Sequence, residues 1–279
     1  MEKTAVQAGA HLHHIEIESE NPENLAKFYS KAMDMEFAKL SNDNWNCFGS
    51  ERRVLITRGK NKTLSYAAFA CRDKEGIGAL RTRVELQGLE VLASPSPHFG
   101  NEAFAISDPN GNIICFGLAE TEQKTFNDLY APLQHLTFTS TNVERIVEFY
   151  VGKLGFSLSD RVIHENGDLA TAFMTSNHEH HTIACFKSDH NGIDHHSYEV
   201  GSWMYIRDWC DHFAEIDIQL IWGPGRHGPG NNLFVFIEDL DKNWIELSAE
   251  LEVIGDQTIK DWPQHPRTLN KWGRAIMRS

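Results

Sequence analysis

The sequence contains no apolar run close to the length of about 20 residues that spans a bilayer as a helix. It has no CxxC pair: Cys47, Cys71, Cys115, Cys185 and Cys210 are dispersed and odd in number, which speaks against a disulfide framework or a zinc ribbon and for reduced interior thiols. It also lacks a basic stripe. A net charge of −13 gives phosphate backbones nothing to release counterions against, so nucleic acid is excluded as a partner. Residues Met1 to Gly9 lack the basic-then-apolar order of a secretion signal, and the cytoplasm is the expected compartment.

What is present is ordinary in bulk and unusual in one residue. At 279 residues, with 41% apolar and 23% charged, the chain has the composition of a globular protein long enough for two modules with cores of their own. Histidine stands out, with 15 in all and six in one stretch: His178, His180, His181, His190, His195 and His196. Imidazole is the commonest metal ligand and the usual proton carrier near neutral pH. A histidine-rich loop is also compatible with simple solvation, so spacing has to decide.

A repeat divides the chain. Leu12-His13-His14-Ile15-Glu16-Ile17 precedes a helical pattern through Phe28-Tyr29, and Leu133-Gln134-His135-Leu136-Thr137-Phe138 precedes one through Phe149-Tyr150. Leu25, Phe28, Tyr29 and Ala32 follow helical spacing in the first, and Val143, Ile146, Val147 and Tyr150 in the second. Both halves end in a strand, a polar turn and a strand: Phe104 to Cys115, with Asp108-Pro109-Asn110-Gly111 between, and Phe234 to Glu246, with Asp239-Leu240-Asp241-Lys242. One more helical pattern lies inside each half. The repeat predicts an N-terminal module over residues 1–121, a C-terminal module over 128–250, a polar linker near Glu120 to Asn127, and a tail over 251–279 outside the repeat.

A repeated strand–helix–strands unit of this size resembles the βαβββ unit of the vicinal oxygen chelate superfamily. The resemblance implies an α+β fold: two modules of paired βαβββ units whose mixed sheets curl around a metal site in the C-terminal module.

Alternation within strands sets which side chains meet. Around residue 135, Leu136 and Phe138 take the packing face and leave His135 inside the cup; Ile245 and Leu247 do the same for Glu246. A carboxylate pointing into a cup is costly unless it is paired or bound to a cation. In the stretch from Asp194 to Val200, His196 and Tyr198 share one face and His195 and Ser197 the other, so alternation alone leaves two adjacent candidates. Two imidazoles and one carboxylate on a face leave positions open for substrate and O₂, the usual site of non-haem Fe(II) oxygenases.

At this point the sequence resembles the type I extradiol ring-cleaving dioxygenases. The resemblance implies His135, His196 and Glu246 as metal ligands. It implies His181, in His180-His181-Thr182, as the acid–base residue, and His227, in Gly225-Arg226-His227-Gly228-Pro229-Gly230, as the histidine beside a substrate oxygen. It also implies Fe(II), with Mn(II) as an alternative, a small aromatic diol and O₂ as reactants, both oxygen atoms entering the ring-opened product, and a homo-oligomer with no membrane partner. Two departures stand out. Phe236 occupies the place of a tyrosine that hydrogen-bonds a catechol oxygen in the family, and the turn after Glu238 reads Asp-Leu-Asp-Lys. In the N-terminal half His14 matches His135, but Cys115 stands at the place of Glu246 and Leu64-Ser65-Tyr66 near that of His196, so that half is expected to be a structural partner. A non-oxidative metal-dependent relative, such as an isomerase, lyase or glyoxalase-like enzyme, is the alternative. A metal-free binding protein of the bleomycin-resistance kind would not need the three ligands together.

Overall fold

A computed structural model describes residues 2–119, 129–255 and 258–277; the expected linker lies outside these described residues. The first half runs β1 (His11–Ser19), α1 (Pro22–Ala32), β2 (Glu36–Lys39), β3 (Asn44–Gly49) and β4 (Arg52–Arg58), then β5 (Thr63–Ala70), α2 (Lys74–Leu86), β6 (Leu92–Ala93), β7 (Phe104–Ser107) and β8 (Ile113–Gly117). The second repeats it: β9 (Leu133–Ser140), α3 (Val143–Val147, continuing as a π-helical stretch Glu148–Leu154), β10 (Ser157–Ile163), β11 (Leu169–Thr175) and β12 (Ile183–Lys187), then β13 (Gly192–Gly201), α4 (Trp203–Glu215), β14 (Trp222–Arg226), β15 (Leu233–Glu238) and β16 (Trp244–Ala249). After these come β17 (Lys260–Pro263) and α5 (Pro266–Leu269).

The sheet orders are β2-β3-β4-β1-β5-β8-β7-β6 and β14-β15-β16-β13-β9-β12-β11-β10-β17. Each is two βαβββ units joined where the opening strands pair antiparallel, β1 with β5 and β9 with β13. The fold is therefore the expected pair of modules of paired units with mixed sheets. The tail is not separate from it: β17 extends the second sheet by pairing parallel with β10.

Local chemistry explains the repeated helices. Asn21 and Asn142 cap them by accepting from the amides of Asn24 and Arg145, satisfying donors left open in a first turn. In α1 the buried face is Pro22, Leu25, Ala26, Tyr29 and Ala32. The second helix buries Phe149, Tyr150 and Leu154, and the wider π turn keeps 149 and 154 on one side. β9 is buried at every position, because helices cover one face of its sheet and the cup's contents the other.

The Phe-Tyr pair of the repeat has a structural purpose. Asp239 in the β15–β16 turn accepts from the amides of Asp241 and Asn243 through Oδ1, and from the Tyr29 hydroxyl of the other module through Oδ2 at 3.1 Å. Asp108 in the β7–β8 turn accepts from Asn110 and Asn112 in the same way, and from Tyr150 of the other module at 3.2 Å. Each module's helix thus clasps the other's turn, and one apolar core runs through both. No helix among the described residues is long and apolar enough to cross a membrane.

Candidate metal centre

β9, β13 and β16 are neighbours, and Ser197 on β13 lies opposite both His135 on β9 and Glu246 on β16. His195, two residues before Ser197, shares its face and pairs with Thr137. This register turns His135, His195 and Glu246 toward one point. Their donor atoms all lie within 4.8 Å of one another; Glu246 Oε2 is 3.0 Å from His135 Nε2 and 3.4 Å from His195 Nε2. All three side chains are buried.

His196, expected as a ligand, lies apart from this cluster, and His195 stands in its place. His196 pairs with Leu136 on the packing face, where its Nε2 is 3.0 Å from the Tyr29 hydroxyl and its ring stacks on Tyr29. Burial, then the neighbouring His195 and His135, push its pKa down to about 3, so it is a neutral interior residue. A signal in the sequence pointed this way. His196 is in phase with Tyr198 and Val200, both fully buried in the core, and the rule that put Leu136 and Ile245 on the packing face puts His196 there too.

Residues that sequence reasoning missed orient the donors. The Asp194 carboxylate accepts from His195 Nδ1, and the Gln134 side-chain oxygen lies 3.2 Å from His135 Nδ1. Both partners face the Nδ1 edge and turn Nε2 toward Glu246, where His195 Nε2 also meets the Thr137 hydroxyl at 3.0 Å; an outer partner on Nδ1 is the usual arrangement of ligating imidazoles. Gln134 is fixed in turn by Glu179 and Glu199. Asn232 donates to Glu246 Oε1 at 3.2 Å and to Ser248. Burial raises the Glu246 pKa, but contacts from His135, His195 and His227 outweigh it, and the carboxyl sits well below its usual range. Burial holds His135 below the usual imidazole value; His195 is raised, because its bonds to Asp194 and Glu246 exceed the opposing effect of burial. Two Nε2 donors and an ionised carboxylate, buried on one face, fit a divalent cation with open positions.

The other expected residues are at the same place. His181 lines the adjoining cavity, its ring 4.3 Å from that of His135. Its pKa lies well below the ordinary imidazole value, through burial first and then His135 and His180. His227 lines the cavity too, with Nε2 3.5 Å from Glu246 Oε1, Nδ1 bonded to the Leu269 carbonyl, and its ring stacked on Phe234. Val162, Phe173, Ala184, Phe186, Pro229 and Leu269 make the apolar wall. Phe236 meets His195 edge-on at 5.2 Å and lines a smaller adjoining cavity of about 330 Å³. Leu269 and Ile276, from the tail, line that cavity as well, so the tail takes part in enclosing the site.

The model of the Glyoxalase/Bleomycin resistance protein/Dioxygenase superfamily matches residues 11–116 and 133–247, one stretch in each module. The chain belongs to this superfamily. Over 250 residues, 78% of this chain and 74% of the relative, it is 24% identical to metapyrocatechase 2 of Cupriavidus necator. It is 22% identical over 206 residues to the manganese-dependent 2,3-dihydroxybiphenyl 1,2-dioxygenase of Geobacillus genomosp. 3, covering 66% of this chain and 65% of that one. Among solved structures, the Mn(II)-bound glyoxalase from Novosphingobium aromaticivorans superposes with a TM-score of 0.82 at 20% identity, over 96% of this chain and 93% of that chain. Homoprotocatechuate 2,3-dioxygenase from Arthrobacter globiformis gives 0.81 at 18%, over 95% and 88%. At these identities the two structures establish the shared fold.

In this superfamily member the N-terminal module carries no equivalent donor set among the described residues. Ala68 on β5 lies opposite both His14 and Cys115, as Ser197 lies opposite His135 and Glu246. The three ligand positions there hold His14, Tyr66 and Cys115. His14 Nε2 is engaged by the Ser96 hydroxyl at 2.7 Å, and burial pushes the Cys115 thiol up to about 12.

Proposed function

We propose that the chain is an extradiol dioxygenase that opens a catechol-type ring next to its two hydroxyls, with His135, His195 and Glu246 holding the metal. The observation that carries this reading is the two-imidazole, one-carboxylate face set against an apolar cavity beside a third imidazole. The kinship with metapyrocatechase 2 and the dihydroxybiphenyl dioxygenase supports it. Fe(II) is the proposed ion, and Mn(II) suits the same donors. Held by His135, His195 and Glu246, such an ion would supply Lewis acidity toward a diol and a path for electrons between the diol and O₂.

The chain's own residues do the rest. The apolar wall excludes water and holds the ring edge toward the donors. His181, neutral at physiological pH, takes a hydroxyl proton and returns it when the product forms. His227 stands where a second diol oxygen meets it. Phe236, in the adjoining cavity against His195, has no hydrogen-bonding group to offer, so orientation rests on the metal and the two histidines. The N-terminal module is a structural partner, the assembly a homo-oligomer and the compartment the cytoplasm.

The test loads the anaerobic protein with Fe(II) and, separately, Mn(II), adds a panel of catechols, and follows O₂ uptake with ring-fission product. Stoichiometric uptake that disappears in Glu246→Ala is the expected result. Tightly bound metal with no uptake for any diol overturns it in favour of a non-oxidative chelate enzyme.

A further inference from the structure

His181 stands at the end of a chain of polar groups that leads away from the cavity. Its Nδ1 lies 3.0 Å from Nδ1 of His180, and His180 Nε2 lies 3.1 Å from Asp160 Oδ2 on β10. All three side chains are buried. The His180–Asp160 approach is at ion-pair distance without the alignment of a hydrogen bond in this conformation. Asp160 is itself anchored by the tail: Trp262 Nε1 donates to Oδ2 at 2.7 Å and the Lys260 amide to Oδ1 at 3.0 Å. Burial would raise the Asp160 pKa; the contacts from His180, Trp262 and Lys260 outweigh it and hold the group as a carboxylate. His180 is fixed on its other sides. Its amide donates to the Glu252 carbonyl at 2.8 Å, and Gly230, with φ +71°, passes so close that a Cβ there would sit 3.1 Å from the imidazole Nδ1.

A carboxylate only accepts, so Asp160 favours a proton on the His180 nitrogen facing it, and in the singly protonated form of His180 the other nitrogen, Nδ1, is then an acceptor. Two facing Nδ1 atoms form a bond only if one holds a proton, which places it on His181. We propose that Asp160 and His180 are positioning residues that fix His181 as its Nδ1–H tautomer, leaving Nε2 as the basic nitrogen for the diol. This rests on the dioxygenase reading for its chemical use, although the tautomer itself does not. It also gives the tail a catalytic consequence, because Lys260 and Trp262 set the Asp160 carboxylate.

The test combines two readouts. Nitrogen-15 NMR of histidine-labelled, zinc-loaded protein, with His181 assigned by loss of its signal in His181→Ala, reports which nitrogen carries the proton. The expected result is Nδ1–H in the wild type. In the Fe(II)-loaded enzyme, His180→Phe removes the acceptor and lowers kcat roughly 10- to 100-fold, with metal content retained. KM for the diol changes less than about two-fold, because substrate binding is untouched. His180→Asn, whose carbonyl oxygen can stand where Nδ1 stood, restores most of kcat. A proton on Nε2 of His181 in the wild type overturns the inference, as does full turnover in His180→Phe. Absence of turnover in the wild type removes the dioxygenase reading and leaves the NMR result to decide the tautomer.

Discussion

The two modules share a topology and a strand register, yet among the described residues one gathers two imidazoles and a carboxylate on one face and the other does not. On the common frame, His14 answers His135, Tyr66 answers His195 and Cys115 answers Glu246. The frame supplies three addresses on neighbouring strands that point to one spot. What stands at the addresses, and what stands behind them, decides the chemistry. In the C-terminal module Asp194 and Gln134 face the Nδ1 atoms and turn both Nε2 atoms toward the Glu246 carboxylate. In the N-terminal module His14 has both ring nitrogens engaged, by Ser96 and by His13 at 2.7 Å. A cup of this kind becomes a metal site only when each imidazole has an outer partner and a carboxylate completes the charge.

The largest break in the comparison comes from moving an N-terminal residue into the active address. Glu246→Cys swaps the carboxylate for its counterpart and is expected to abolish bound metal, lowering ring cleavage by roughly 10³-fold or more, as read by metal analysis and O₂ uptake. His181→Ala is expected to keep the metal and lose about 10²- to 10⁴-fold in kcat, the usual worth of a positioned acid–base group. Next is the pair of adjacent histidines. His195→Ala should release the metal, whereas His196→Gln should retain it and cost about 1–2 kcal/mol of stability through the lost Tyr29 contact, measured by urea unfolding. Metal loss in His196→Gln alone would reverse the assignment.

A pH prediction concerns the N-terminal module. Burial, then Arg53 among the nearby charges, depresses His13 and His98 each to about 4, so both favour the neutral form when folded. Groups depressed in this way contribute stability that is complete above their unfolded value near 6.5 and is lost as pH falls toward 4. Within that window each pH unit costs at most about 1.4 kcal/mol per imidazole, less for the half-buried His98. Urea unfolding between pH 7 and 4.5 should show this slope, reduced in His13→Asn. The smallest effect concerns the turns. Lys242 holds φ +71° where the other module has Gly111 at +90°, and Lys242→Gly should stabilise by about 0.5–1 kcal/mol, a rise of a few degrees in Tm.

Much of this was legible from the chain alone. The strand–helix phrases with their Phe-Tyr pairs, and the Asp turns that close each half, are local patterns, and local patterns survive reading one residue at a time. His135 and Glu246 follow from alternation because their apolar neighbours, Leu136, Phe138, Ile245 and Leu247, declare the packing face. The choice between His195 and His196 is open to the same rule through Tyr198 and Val200, which put His196 on the packing face, whereas family spacing points to His196. Between these strands a step of one residue turns a side chain to the other face.

By itself the sequence determined the repeat, the module type, the cluster of imidazoles and the carboxylate that completes it, since these depend on residue type and on periods of two and 3.6. Only the tertiary structure decided that His196 belongs to the interface with Tyr29, that Asp194 and Gln134 face Nδ1 of His195 and His135, and that the tail reaches back to Asp160. Those relations join residues far apart in the chain or depend on the pairing of β9, β13 and β16. Register between strands comes from the packing of the whole sheet, and no single segment contains it.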